Sequence, residues 1–321
     1  MRKAMVSTAI LCAAALIAGR ALAAGDNELL VYTAADDGKL HAALAEAFNK
    51  KYPDITVKQV ILSTGPITEK TIAERANPQA DAIYGVNSFA LDQLKNAGVL
   101  EPYAPQGTKI PKQFMDADGF YAYHWLTLMV MAVNTQLMEQ KGKAIPKTWQ
   151  ELASPAYKGL ITISAPTKSG TGLTIFTTLK DAYGWDYIDR LHQNIFQYNS
   201  SGSAAGRQAG AGETAIGLTY DTAVINQVKA GLPVKMAFFD MTPNVKEGGA
   251  LVLGAPHAAN GKKWVDFMAS PEGAAVYTPF IGVPTTPGLG DIDVSKVDLY
   301  SYKAPVDAAA FKKEWAQKYE K

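Results

Sequence analysis

The chain has 321 residues, 31 basic against 30 acidic side chains, 48% apolar residues and one cysteine, Cys12. With near-neutral charge and no basic block, nothing points to non-specific binding of nucleic acid or anionic lipid. The apolar content and the lack of low-complexity tracts argue against disorder, and the length allows two lobes with separate cores.

The first 23 residues read as a secretion signal. Arg2 and Lys3 form the charged start, Ala4 to Gly19 a largely apolar segment, and Ala21-Leu22-Ala23 a small-x-small cleavage pattern. Arg20 interrupts the apolar stretch too early for a membrane span. Cleavage near Ala23 removes Cys12, Arg2, Lys3 and Arg20, leaving about 298 residues with 28 basic and 30 acidic side chains. Disulfides, thiolate catalysis and cysteine metal sites are then excluded, and a periplasmic location is expected.

Leu29 to Tyr32 reads as a buried strand, followed by the loop Thr33-Ala34-Ala35-Asp36-Asp37-Gly38. Leu40, Leu44 and Phe48, four residues apart, mark a helix that stops before Pro53. Ile55 to Leu62 is a second strand, Ser63-Thr64-Gly65-Pro66 a second loop, and 67–76 a helix. Ala82 to Val86 is a third strand, leading through Asn87-Ser88 to a helix with Leu91 and Leu94. Three strand–loop–helix units predict an α/β fold, with a mostly parallel sheet covered on both faces.

Tyr121 to Val133 is an apolar run long enough to pass from one lobe to another. Thr148 with Glu151 forms a capping box. The α/β rhythm then resumes. Leu160 to Ile163 is a strand, the loop 165–172 is rich in Gly, Ser and Thr, and Leu173, Phe176, Leu179 and Tyr183 mark a helix. Ala215 to Leu218 leads to Tyr220-Asp221 and a helix with Val224, Ile225 and Val228 that Gly231 ends. Val234 to Phe239 is a strand and Gly248 to Gly254 a return strand. A helix with Trp264, Phe267 and Met268 follows, and Ser270-Pro271-Glu272 opens the next. Asp307 caps a last helix with Phe311, Trp315 and Tyr319. Two crossings, near 127–134 and 243–250, imply hinged lobes with a cleft between them. Lobe I is expected at 24–127 plus 250–285, lobe II at 134–243, and a helical segment packed on the lobes at 286–321.

Five loops sit at the carboxyl ends of expected strands, where ligands of open α/β sheets collect. They are Thr33-Ala34-Ala35, Ser63-Thr64, Asn87-Ser88, Ser169-Gly170-Thr171 and Tyr220-Asp221. Each alone is an ordinary helix cap. Together, four offer neutral donors at helix starts, and the fifth carries an inward carboxylate. That pattern suits a small ligand with an oxyanion at one end and a cation at the other. Asp221 has two readings, a cap for the helix that follows or a carboxylate facing the cleft. Asp240, at a strand end, is a second candidate for the same job, and Asp36 and Asp37 read as helix-start acids. His41, His124, His192 and His257 have no metal-ligand spacing, and no G-x-S-x-G elbow is present. No cofactor is expected.

Several segments resemble a known family. Leu30-Val31-Tyr32-Thr33-Ala34-Ala35-Asp36 through Phe48-Asn49-Lys50-Lys51-Tyr52-Pro53 is similar to the opening of periplasmic solute-binding proteins of ABC importers, in the ferric-ion, phosphonate and sugar-phosphate branch. Thr148-Trp149-Gln150-Glu151-Leu152, Pro155-Ala156-Tyr157-Lys158-Gly159, Gly212-Glu213-Thr214-Ala215-Ile216-Gly217-Leu218 and Ser270-Pro271-Glu272-Gly273 also fit. The resemblance implies a type II two-lobed fold with two hinge-crossing segments and the ligand in the interlobe cleft. It also implies a non-enzymatic, monomeric receptor that hands its ligand to a membrane permease.

Iron-binding members use a histidine in the first loop and paired tyrosines in the later one. This chain has Ala34 and Ala35 in the first and Tyr220 alone between Thr219 and Asp221 in the later one, which disfavours iron. Ser63, Thr64, Ser169, Gly170 and Thr171, with Asn87 or Ser88, match the oxyanion donors of the phosphorylated-ligand members. Asp221 beside Tyr220 suits an ammonium. The resemblance so favours 2-aminoethylphosphonate, with a hexose phosphate as the alternative ligand and a secreted phosphoester hydrolase as the alternative class.

Overall fold

The computed structural model describes residues 27–35, 38–303 and 306–320; the expected secretion signal and Asp36-Asp37 lie outside them. The three opening units form as β1 (Glu28–Thr33), α1 (Gly38–Lys51), β2 (Thr56–Ile61), α2 (Thr64–Ala73), β3 (Ala82–Asn87) and α3 (Ser88–Asn96). β1 pairs in parallel with both β2 and β3. Leu40, Leu44 and Phe48 are buried, since residues four apart share a helix face.

A two-residue strand, β4 (Leu100–Glu101), precedes the long strand β5 (Tyr121–Asn134). The short helices α4 (Thr135–Gln140) and α5 (Trp149–Leu152) lead into β6 (Ile161–Ser164), α6 (Gly170–Tyr183), α7 (Trp185–His192), β7 (Ile195–Asn199), α8 (Gly202–Ala211), β8 (Ile216–Tyr220), α9 (Asp221–Lys229) and β9 (Val234–Ala237). The chain returns on β10 (Asn244–Val252) and closes with α10 (Ala258–Ala269), α11 (Pro271–Tyr277), β11 (Val283–Pro284) and α12 (Ala308–Tyr319). The caps are as expected. Thr148 Oγ1 accepts from Glu151 N at 3.1 Å, Ser270 Oγ from Gly273 N at 3.1 Å, and Asp307 Oδ1 from Ala310 N at 2.9 Å. Glu151 reaches back to Lys147 N, at 2.7 Å, rather than to the Thr148 N–H of an ideal capping box.

The strand order β2-β1-β3-β10-β5-β8-β6-β7 makes the architecture two-lobed, with β5 and β10 in the middle. β5 pairs antiparallel with β10 along its first part and with β8 and β9 along its last. β10 begins at Asn244, four residues before the expected start, because that early stretch continues the ladder opposite Leu128 to Trp125. The ladder slips between Glu247 and Gly248. Trp125 faces Glu247 and Tyr123 faces Gly248, so His124 is an extra residue on β5. Side chains alternate along a strand, so one inserted residue sends Tyr123 and Trp125 to opposite faces of the sheet.

α7, β7 and α8 were not expected. α8 is built almost wholly from Gly, Ala and Ser and has no apolar stripe to read. β7 alternates poorly because it is an edge strand whose Phe196 is exposed. The C-terminal helix completes one core. Phe311 and Trp315 are buried with Phe176 and Leu179, and the Trp315 and Phe176 rings lie 4.3 Å apart. Trp315→Ala should therefore cost roughly 3–5 kcal/mol, read as a lower urea midpoint; a loss within error would mean that α12 is only loosely attached.

Candidate functional site

A cleft of about 500 Å³ opens at the carboxyl ends of the strands, and all five expected loops reach it. Ala34 and Ala35, Thr64, Asn87, Gly170 and Thr171, and Tyr220 line it. Three of the converging helices, α2, α6 and α9, begin at Ser63, Ser169 and Tyr220, none of which caps its helix with its own side chain. At α2 and α6 this leaves first-turn N–H groups for another acceptor, with the positive end of each helix dipole behind them. Thr171 is held close to the start of α8. A Cβ added at Gly202 would lie 2.0 Å from Thr171 Oγ1, so only glycine permits this approach.

Several expected residues stand elsewhere. Thr33 is buried beneath the wall, where its Oγ1 accepts from Ala35 N at 3.2 Å. Ser63 is exposed outside the cleft, and Ser169 lies behind Gly170 toward α8. Ser88 faces a neighbouring compartment instead. Asp240 caps α5, accepting from Trp149 N at 3.1 Å.

Asp221 is fully buried and does not line the cleft. Its Oδ1 accepts from Thr222 N at 2.8 Å, and its Oδ2 has no hydrogen-bond partner among the described residues. Gly282 lies against it, so closely that a Cβ there would come 2.0 Å from Oδ2. Burial pushes the carboxyl up to about 7, and the charge of Glu247 adds to the rise, while the Thr222 and Leu128 N–H groups oppose it.

The acid that lines the cleft is Glu247, from the hinge-crossing β10. Trp125 Nε1 donates to Glu247 Oε2 at 2.8 Å, and Thr127 Oγ1 to Oε1 at 3.4 Å. Among the described lining residues it is the one charged side chain; no Lys or Arg lines this compartment. Phe89, Trp125, Leu173 and Phe280 give the rest of the wall an apolar, aromatic character. Sequence reasoning missed Glu247, Trp125 and Thr127. The available signal was an acid directly before Gly248-Gly249 in a strand already expected to cross between lobes.

Residues 33–275 match the family of bacterial extracellular solute-binding proteins. The chain belongs to that family. Two relatives carry provisional names. One, from Sinorhizobium fredii, is named an ABC transporter periplasmic-binding protein and is 27% identical over 85% of this chain and 78% of its own. The other, from Salmonella typhimurium, is named a 2-aminoethylphosphonate-binding periplasmic protein and is 25% identical over 74% of this chain and 71% of its own. The solved structure of the periplasmic binding protein AfuA from Actinobacillus pleuropneumoniae, with fructose-6-phosphate bound, is similar at a TM-score of 0.72 and 27% identity, over 91% of this chain and 98% of its own. In this solute-binding protein the fold is thus the type II arrangement, with the cleft where its two lobes meet.

A carboxyl titrating near 7 in the folded chain keeps a proton that the unfolded chain has already released. Stability contributed at Asp221 is therefore lost as pH rises from the ordinary carboxylate value toward 7. Asp221→Asn retains an acceptor for the Thr222 N–H and removes the charge. It should raise unfolding stability by roughly 2–4 kcal/mol at pH 8 and far less at pH 5. Urea melts at the two pH values check this, and an equal gain at both would show that the charge is not the cause.

Proposed function

We propose that this protein is the periplasmic receptor of an ABC importer and that it captures a small zwitterionic phosphonate, 2-aminoethylphosphonate. The uncapped starts of α2 and α6, with Thr64, Asn87, Gly170 and Thr171, take the phosphonate; Glu247 takes the ammonium. One observation carries the reading: among the described residues, a single carboxylate lines a cleft whose other polar groups are neutral. Neutral N–H groups at helix starts favour an oxyanion. Glu247 would repel a bare anion and attract a cation, and the Trp125 ring beside it adds a cation–π surface. Asp221, the carboxylate that the sequence offers for the ammonium, is a sealed carboxyl that holds its proton to about pH 7 and is poorly suited to that role. The provisional name of the Salmonella relative supports this ligand class, and that of the Sinorhizobium relative supports the importer role.

A hexose phosphate is the second reading. A volume of about 500 Å³ leaves room beyond 2-aminoethylphosphonate, and AfuA was solved with fructose-6-phosphate. Glu247 would then accept from sugar hydroxyls.

Calorimetry on refolded, ligand-free protein separates the two. Glu247→Gln preserves acceptors for Trp125 and Thr127 but removes the charge. Breaking a buried ion pair costs roughly 3–5 kcal/mol, so this variant should bind 2-aminoethylphosphonate about a hundred-fold or more weakly. Methylphosphonate, which lacks the amine, should bind no worse than to the unaltered protein. Tighter binding of fructose-6-phosphate than of 2-aminoethylphosphonate by the unaltered protein would favour the second reading; equal losses for both phosphonates would sink the role of Glu247.

A further inference from the structure

A second compartment of about 570 Å³ adjoins the first, sharing Asn87, Phe89, Leu173, Thr174 and Val245 with it. Its wall is formed by the start of β10, Tyr123 of β5, Leu173, Thr174 and Thr177 of α6, and residues 300–302 with Val306 and Ala308. Residues 300–302 are tied down on both sides. Tyr300 N donates to Thr242 O at 2.9 Å, Asn244 Nδ2 to Tyr300 O at 3.0 Å, and the hydroxyls of Tyr302 and Thr178 lie 2.8 Å apart. The Tyr300 hydroxyl is taken by Asp181. The compartment is therefore walled by aromatic rings whose polar ends are already engaged.

Lys246 is the charged side chain in this wall. It is half-buried and forms no ion pair among the described residues; its ammonium lies 5.7 Å from the centre of the Tyr123 ring. Burial alone lowers its affinity for a proton. The inserted residue His124 is what brings Tyr123 to this side while Trp125 stays with Glu247. Successive residues of β10 thus present opposite charges to neighbouring spaces: Glu247 to the first, Lys246 to the second. A partly desolvated ammonium without a counter-charge is costly until an anion joins it.

Resting on the phosphonate reading above, we infer that the Lys246 compartment is an anion subsite that receives an acidic extension of the ligand held in the first compartment. The preferred ligand class is then an amine flanked by two acid groups, one phosphonate and one carboxylate. The phosphonate sits at the helix starts, the ammonium at Glu247, and the carboxylate passes Phe89 and Val245 to Lys246.

The test compares N-(2-phosphonoethyl)-6-aminohexanoate, whose five-carbon arm lets the carboxylate reach past Phe89 and Val245, with 2-aminoethylphosphonate on refolded protein and on Lys246→Met, which keeps the apolar stem over Tyr123. The unaltered protein should bind the two-acid compound at least about ten-fold more tightly, and Lys246→Met should erase that preference while leaving 2-aminoethylphosphonate within about two-fold. No preference in the unaltered protein, or equal losses for both compounds in the variant, overturns the subsite. If neither compound binds, the phosphonate reading fails, and the subsite is judged separately. Lysines are dimethylated with carbon-13, the Lys246 resonance is identified by its absence from Lys246→Met, and acetate is added. A saturable acetate-dependent rise in the titration midpoint of that resonance supports the subsite; a resonance indifferent to acetate refutes it.

Discussion

The antiparallel ladder between β5 and β10 is the constraint on which the cleft depends. Its backbone bonds join the two halves of the sheet, so the lobes are connected by two paired strands rather than by loose linkers. The same pairing sets Trp125 opposite Glu247. The indole N–H then orients the carboxylate, and the side chains that give the cleft its charge are fixed by the element that holds the lobes together. A site on strands is positioned more firmly than one on loops, which are freer to move. The helix starts that complete the cleft follow on strands of the same sheet, α2 on the edge strand β2 and α6 on the buried β6, so their N–H groups are anchored to its geometry.

The repeated strand–loop–helix rhythm was legible because it rests on local periodicity. Leu40, Leu44 and Phe48 lie on one helix face, Ala82 to Val86 is continuously buried, and every one of the five strand-end loops places a residue in the cleft. Which residue of each loop does so was harder to read. Ser63 precedes the helix and stays outside, while Thr64, one step later, turns in. The exchange of Asp221 for Glu247 has a different cause. Asp221 is sealed by Gly282, a residue far along the chain, and no local pattern announces that contact. The setting of Glu247 depends on the slip at His124 through its partner Trp125, because a residue inserted in β5 reverses the facing of what lies beyond it in that strand. Alternation read from Tyr121 onward would have placed Tyr123 and Trp125 on the same face. Local pattern therefore located the cleft; long-range packing decided its charge.

The electrostatic logic of the cleft follows from those two acids. Full cations around an oxyanion would bind any small anion tightly. Helix starts and hydroxyls, being neutral, bind it more weakly and with more demand on geometry. A lone carboxylate in the same space then discriminates, because it adds attraction for a ligand with a positive end and repulsion for one without. This works only if the second acid stays silent. Asp221 lies near enough for the charge of Glu247 to act on it, and ionising both would place two negative charges behind one cleft wall. Burial under Gly282 favours the protonated form of Asp221 up to about pH 7, which leaves Glu247 as the acid that faces the cleft among the described residues. The glycine that admits no side chain over Asp221 and the slip in β5 that sets Trp125 beside Glu247 are thus two parts of one arrangement, which leaves Glu247 as the one carboxylate lining the cleft among the described residues.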